Sequence, residues 1–208
     1  MCLKKVTTFI TRNNGKEKQL LLFKHPHAGI QIPAGTIERD EANEVAALRE
    51  AFEETGLDNI KVMCEIGCLT TCLPENKYVV IEKSNIFSRP DLNSFDWASF
   101  RRGITIEHHA NSEKGFKHVT YKEYDNVENP SYITYQITGW IPENCIAKEI
   151  TRYFYHLEAK SDTDDSWEIS ADNHIFEFFW APINDLPKIV SPQDEWVSYA
   201  KEHLKYKF

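Results

Sequence analysis

Three glutamates, Glu50, Glu53 and Glu54, lie close enough in the chain to act on one metal ion. Residues three and four apart are neighbours on a helix, and like charges there destabilise it by about 0.2–0.5 kcal/mol per pair. A hard divalent cation would offset this repulsion, and carboxylate oxygens suit Mg²⁺ or Mn²⁺. The other interpretation is a solvated acidic helix face, which is what most runs of like charge are.

The segment around these glutamates has the period of an amphipathic helix. Its apolar residues recur at spacings of three and four, as Val45, Leu48, Phe52 and Thr55, and point one way. At about 100° per residue the glutamates fan out on nearly the opposite side. We expect Asp40 as the N-cap, Glu41 in the first turn, and Gly56 followed by Leu57 at the carboxyl end.

The order of residues from Gly35 to Leu57 resembles the Nudix box, the signature of the Nudix hydrolases. That signature runs Gly, five residues, Glu, seven residues, Arg-Glu, an apolar residue, any residue, Glu-Glu, any residue, Gly and an apolar residue. The constrained positions hold Gly35, Glu41, Arg49, Glu50, Ala51, Glu53, Glu54, Gly56 and Leu57. Such a set at fixed spacing is far more specific than a lone glycine motif.

The resemblance implies the α+β Nudix fold, a mixed β-sheet sandwiched between α-helices. We expect one domain over residues 1–208, with an insertion at about 88–130 that helps to set specificity. The implied activity is magnesium-dependent hydrolysis of the pyrophosphate linkage in a nucleoside diphosphate joined to another group. Manganese is a possible substitute. A non-catalytic Nudix-like nucleotide sensor is the alternative, although such proteins generally lose the box glutamates.

The resemblance also assigns roles to residues of the box. Glu50 and Glu54 are the expected metal ligands, and the backbone carbonyl of Ala34 is a further one. Glu53 would ligate metal or position the water, and Arg49 would orient the carboxylates. The general base is a box glutamate or a residue from a distant loop, for which the outside candidates are Glu168, Glu177 and His174.

Composition limits the partners of the chain. The formal net charge is -8, which argues against a broad nucleic-acid-binding surface but not against small phosphorylated substrates, since bound cations reverse the local field. Five cysteines, an odd number, favour a reducing compartment. With no apolar run of membrane-spanning length and no secretory segment, we expect a cytoplasmic protein; the family resemblance makes a homodimer plausible.

The remaining pattern predicts mostly strands. The expected strands and final helix are, in order, Lys5–Arg12, Gln19–His25, Lys61–Thr71, Ser131–Ile141, Ile150–Leu157, Ile175–Ala181 and the helix Gln193–Leu204. A polar loop is expected over 159–172, and a weak helical pattern covers 94–104. We interpret Cys64, Cys68 and Cys72 as small buried side chains of a core strand.

Two histidine pairs have competing interpretations. His25 and His27 flank Pro26 and are expected as loop residues, with contact to a phosphate or a base as the alternative. His108 and His109 are adjacent, so they point apart on a strand or helix and are expected at the surface rather than at a metal. The substrate stays open, because triphosphates, nucleotide sugars, dinucleoside polyphosphates and capped RNA ends share the diphosphate.

Overall fold

A computed structural model describes residues 1–126, 130–160, 162–171 and 174–204. Its strands are β1 (Leu3–Asn13), β2 (Lys18–His25), β3 (Gly29–Gln31), β4 (Ala34–Thr36), β5 (Ile60–Cys72), β6 (Lys77–Val80), β7 (Ser84–Phe87), β8 (Asp96–Phe100), β9 (Thr105–Glu113), β10 (Phe116–Tyr124), β11 (Ile133–Pro142), β12 (Ile146–Ala147), β13 (Glu149–Ala159), β14 (Ser166–Ala171) and β15 (His174–Pro182). Its α-helices are α1 (Asn43–Thr55) and α2 (Gln193–His203). No described helix is both long and apolar enough to cross a membrane.

The chain divides into two compact units. One, which we call the helical unit, comprises Lys5–Cys68 and Arg152–Phe208. The other, the β unit, comprises Met1–Lys4 and Leu69–Thr151. The predicted insertion at about 88–130 falls inside the β unit, whose bounds are wider than that segment. A single domain with an insertion therefore stays a prediction for the chain as a whole.

The helical unit is a sheet with one helix on each face. The sheet order is β14-β15-β2-β1-β13-β5, with β3 beside β2 and β4 beside β1. On β1, Phe9 packs in a cluster with Val197 of α2, whereas Ile10 packs in a cluster with Ala51 of α1. Because successive residues of a strand point to opposite faces, the two helices cover opposite faces. This is the predicted α+β arrangement, a β-sheet between α-helices.

The buried face of α1 is not its stripe of large apolar residues. The side chains that α1 buries are Ala46, Ala47, Ala51 and Thr55. Val45 and Phe52 are instead 55% and 54% exposed. Small residues let the helix axis approach the sheet closely, so a face of alanines is selected over a face of larger side chains.

The ends of α1 agree only partly with prediction. Gly56 adopts the left-handed conformation at φ 71°, and its N–H donates to the Phe52 carbonyl at 2.8 Å, as expected for a carboxyl-terminal cap. The N-cap, however, is Ala42, without a side-chain cap bond. The Asp40 prediction is wrong, because Asp40 lies in a turn with φ 60°, two residues before that cap.

The predicted polar loop over 159–172 is partly wrong, since it contains β14. β14 pairs with β15 along its whole length, from Ser166 opposite Phe179 to Ala171 opposite His174. The segment before it is held by Arg12, whose Nη1 donates to the Thr163 carbonyl at 2.7 Å. A distant arginine therefore orders a stretch whose local composition indicates only a loop.

The β unit is built on a seven-stranded sheet in the order β12-β6-β9-β10-β11-β7-β8. Its core contains Val80, Ile106, Val119 and Ile141, each almost fully buried. The helix that the weak pattern at 94–104 predicts is absent, because Asp96–Phe100 forms the strand β8 and pairs with β7. The burial prediction for the cysteines of β5 is also wrong, since Cys64 is half-buried and Cys68 and Cys72 are exposed.

Candidate active site

The strand before α1 holds the first glutamate. β4 pairs with β1, so that Gly35 lies opposite Val6. The Thr36 N–H donates to Glu50 Oε1 at 3.0 Å. A Cβ atom added to Gly35 would lie 1.8 Å from the Glu50 carboxyl carbon. Gly35 therefore leaves room for the carboxylate of Glu50, which any larger residue at this position would displace.

Arg49 connects the carboxylates of the helix and the preceding loop. Its Nε and Nη2 donate to the two oxygens of Glu41, each at 2.8 Å. Its Nη1 donates to Glu50 and to Glu53, each at 2.9 Å. The bonds from Arg49 hold the pKa of Glu41 below its usual value, and the carboxylates raise the pKa of Arg49. Such paired bonds fix both position and angle of the acceptor.

Glu54 lies in an environment that disfavours the ionised form of its carboxyl group. Burial is the largest cause that raises its pKa, to about 8, and the charges of Glu50 and Glu53 raise it further. The Ala34 N–H donates to Glu54 Oε2 at 2.9 Å and acts in the opposite direction. The backbone at position 34 does not require a glycine, because the φ angle of Ala34 is not positive. Among the described non-glycine residues, positive φ angles occur only at Asp40, Ala110 and Lys114.

The donor set fits a divalent cation in its chemistry. In the described part of the chain, no group of three or more His, Cys, Asp or Glu side chains is arranged so that it could hold a metal ion. The charge balance nevertheless favours a bound cation, because the single guanidinium of Arg49 pairs with three carboxylates, those of Glu41, Glu50 and Glu53. Glu54, buried beside two like charges, is the group whose ionised form a cation would favour most.

A cavity of about 240 Å³ opens beside the three glutamates. Its other lining residues are apolar: Phe23, Ile169, Ala171, Phe176 and Phe178. They come from β2, β14 and β15, on the face of the sheet that α1 covers. A ligand in this cavity would meet negative charge on the helix side and aromatic rings on the sheet side.

The position of β14 relative to α1 is fixed by Trp167. Its Nε1–H donates to the Thr55 carbonyl at the end of α1, at 2.8 Å. Its ring stacks on Phe178, with centroids 5.4 Å apart and planes within 8°. The same indole thus joins the end of the helix to the aromatic wall of the cavity.

Two outside candidates for the general base do not reach the glutamates. Glu168 and Glu177 lie directly opposite each other on β14 and β15. Each is next in sequence to a residue that lines the cavity, Ile169 and Phe176 respectively. Because side chains alternate along a strand, both glutamates project to the other face of the sheet. His174 has the same parity as Phe176, so it lies on the cavity face.

A comparison with known protein families shows which family the first part of the chain resembles. Residues 3–86 match the family model described as the NUDIX domain. Residues 3–86 are thus similar to a Nudix domain. That match contains the segment from Gly35 to Leu57 and hence all three glutamates. No curated protein matches the chain in a sequence comparison. Nudix hydrolases generally act on derivatives of nucleoside diphosphates.

Solved structures resemble the chain at low identity. An Ap4A hydrolase of C. elegans is 14% identical, covers 99% of this chain and 98% of its own, and has a TM-score of 0.47. A candidate NUDIX hydrolase of Listeria monocytogenes is 14% identical, with coverages of 97% and 93% and a TM-score of 0.46. NrtR of Shewanella oneidensis, complexed with a 27mer DNA, is 12% identical, with coverages of 98% and 62% and a TM-score of 0.40. Likeness at this level does not identify what the present chain acts on.

Sequence reasoning missed the aromatic wall of the candidate site, which Phe23, Phe176 and Phe178 form. The alternation of Phe176 and Phe178 along one strand was visible, and so was the apolar run that ends at Phe23. Nothing in the sequence indicated that β2 and β15 are neighbours, which places Phe23 directly opposite Phe178. The motif contains Glu41, but only the folded chain shows that this carboxylate is the paired acceptor of Arg49.

Proposed function

We propose that this protein is a magnesium-dependent hydrolase. It cleaves the pyrophosphate linkage of a nucleoside diphosphate joined to another moiety and releases a nucleoside monophosphate or its equivalent. The observation that carries the proposal is Glu54, a carboxyl group with a pKa raised to about 8 beside Glu50 and Glu53, at the edge of a cavity large enough for part of a nucleotide. Mn²⁺ is the expected substitute ion.

In this proposal Glu50, Glu53 and Glu54 hold the cation, together with the backbone carbonyl of Ala34. The bound cation would supply neutralisation of phosphate charge and a water of lowered pKa. Arg49 keeps Glu50 and Glu53 in place through bonds of 2.9 Å. Without a cation, two negatively charged groups, the acidic helix and the diphosphate, would repel each other.

Glu53 is the proposed residue for positioning or deprotonating the attacking water. Its side chain is 55% exposed, against 13% for Glu50, and it lines the cavity. Water adds to one phosphorus, the bridging oxygen leaves with the other phosphate, and the released proton passes to solvent by way of the carboxylate. The aromatic wall is the proposed contact for the base or another flat group of the substrate.

The test is a panel of diphosphate compounds incubated with the purified protein and Mg²⁺. It contains nucleoside triphosphates, nucleotide sugars including ADP-ribose, and dinucleoside polyphosphates. We expect turnover of at least one compound, its loss with EDTA, and its loss in Glu54→Gln. Glu177→Gln is the matched control, since that glutamate lies on the other face of the sheet, and it should keep activity. Binding of a nucleotide without any turnover would instead identify a sensor.

A further inference from the structure

His25 and His27 meet the distant His174 where β2 ends and β15 begins. The ring centroids of His25 and His174 are 5.5 Å apart, and those of His27 and His174 are 5.3 Å apart. His25 and His27 close the triangle at 6.3 Å. We call these three residues the histidine cluster. The register of β2 with β15, which pairs Glu177 with Lys24, brings the two strand ends together.

The histidine cluster continues the aromatic wall of the cavity. The ring of His25 packs edge-on against Phe176, with centroids 5.2 Å apart, and Phe176 lines the cavity. His174 lies opposite Ala171, another lining residue. Along this face of the sheet, the wall therefore changes from Phe23 to His25 over two residue positions, or roughly 7 Å.

The cluster offers hydrogen-bond donors at this end of the wall. The backbone N–H of His27 donates to Nδ1 of His25 at 3.1 Å, which leaves Nε2 of that ring as its N–H donor. Burial is the largest cause that lowers the pKa of His25, and repulsion from His174 and His27 adds to it. An anion shared by the three rings would remove that repulsion and favour their protonated forms.

The charged groups on the neighbouring strands do not compete for the cluster. Lys24 and Glu177 pair with each other at 3.6 Å on the opposite face of the sheet, as strand alternation requires. Glu168 lies opposite Glu177 and projects the same way. Asp172 and Asn173, which precede His174, lie outside the described residues.

We propose that His25, His27 and His174 form a phosphate-binding subsite at the edge of the cavity, which takes a phosphate group of the substrate other than the diphosphate that is cleaved. That this phosphate belongs to a substrate rests on the proposed function, but binding of phosphate by the three histidines does not depend on turnover. It selects substrates that carry a further phosphate, such as a triphosphate, over those that carry a neutral sugar. The glutamates have the wrong charge for that phosphate, whereas the cluster is a set of donors that adjoins the cavity through Phe176.

The direct test follows the histidine ring signals by NMR in the metal-free full-length protein, with EDTA present, during titration with inorganic phosphate or pyrophosphate. Chloride at equal ionic strength is the reference. We expect saturable shifts of the cluster signals and a raised pKa for His25. The other histidines, such as His108 and His203, serve as internal controls. Unmoved cluster signals, or equal shifts at His108 and His203, overturn the subsite.

Variants then separate the subsite from catalysis. His25→Asn and His174→Asn should each weaken binding of phosphate by about tenfold, the effect of losing one hydrogen bond to a charged group. His203→Asn should leave it unchanged. With Mg²⁺, the cluster variants should raise KM for a triphosphate while KM for a nucleotide sugar stays the same. An equal change for both substrates contradicts the inference, whereas persistent Glu54-dependent turnover leaves the proposed function intact.

Discussion

At the scale of single residues, the proposed role of Glu54 requires an ionised carboxylate in an environment that disfavours ionisation. A carboxylate that ligates a cation must be ionised, but burial and two neighbouring glutamates raise the pKa of Glu54 to about 8. The same environment that disfavours its charge without metal favours the arrival of a divalent cation. If Glu54 is the metal ligand proposed above, the stability of the protein and its affinity for metal are coupled through this one side chain.

We predict that Glu54→Gln sharply weakens binding of magnesium. Loss of a residue that merely supports a metal ligand costs about 10–100-fold in affinity or activity, so loss of a ligand should cost at least as much. Isothermal titration with Mg²⁺ and turnover of the best panel substrate measure the effect. A Glu54→Gln protein with unchanged magnesium affinity contradicts the ligand assignment.

The pH dependence of stability gives a second prediction at Glu54. Its pKa is about 8 in the folded protein against an ordinary value of 4.5, so the folded state binds more protons between these limits. The free energy of unfolding of the metal-free protein should therefore fall as the pH rises through this window. Urea unfolding at several pH values measures it, and Glu54→Gln should flatten the slope. Glu53→Gln removes only a smaller contribution to the raised pKa of Glu54, so it should flatten the slope less.

Gly35 supplies a third prediction at this scale. Gly35→Ala would place a Cβ atom 1.8 Å from the carboxyl carbon of Glu50, so the glutamate must move and turnover should fall. The matched partner is Glu50→Ala, which removes the obstacle. Unfolding free energies of the two single variants and the double variant form a cycle. A destabilisation by Gly35→Ala that persists in full when Glu50 is alanine would falsify the steric account.

At the scale of elements, α1 turns its small residues and two of its glutamates inward. Ala47 and Ala51 pack on the sheet, and Glu50 and Glu54 lie beside them on the same side of the helix. The periodicity of the large apolar residues correctly indicated a helix and correctly placed the glutamates opposite that stripe. Which side faces the sheet was decided by the space between helix and sheet, which a single sequence does not contain.

Substitutions on the two sides of α1 should differ in their cost. Ala51→Leu inserts extra volume into a fully buried position and should lower the free energy of unfolding by about 1–3 kcal/mol. Phe52→Ser changes an exposed position, and surface changes are usually within about 0.5 kcal/mol. Denaturant unfolding compares them directly. Equal losses, or a larger one at Phe52, would show that the apolar stripe is covered by something else.

At the scale of the whole molecule, the helical unit contains every residue assigned to the site. The β unit contains the segment 88–130, whose proposed role is to help set specificity. Deleting that segment would remove β10, the strand that pairs with both β9 and β11. Point substitutions on its surface are therefore the better test of that role.

Two exposed aromatic residues of the β unit provide the test. Phe95 and Trp97 are 67% and 55% exposed and pack edge to face at 5.1 Å. If the segment sets specificity, Phe95→Ser with Trp97→Ser should change the ratio of kcat/KM between two panel substrates. Leu92→Ser, an exposed residue in the same region, is the control. Unchanged ratios with intact folding, checked by circular dichroism, count against a role for this surface.

The sequence by itself predicted the residues of the candidate site, helices α1 and α2, and six strands: β1, β2, β5, β11, β13 and β15. The spacing of Arg49, Glu50, Glu53 and Glu54 is local, so a helix places those groups together whatever surrounds it. Turn and strand signals for β1 and β2 are local in the same sense. Local signals failed where a distant group acts, as Arg12 does on the segment before β14.

Only the tertiary structure decided what faces the glutamates. Phe23 and Phe178 are adjacent because β2 pairs with β15, and the two strands are more than a hundred residues apart in the chain. The same pairing brings His25 and His27 to His174 and turns Glu168 and Glu177 away. Strand order and register depend on how the whole core packs, so these neighbours become visible only in the folded chain.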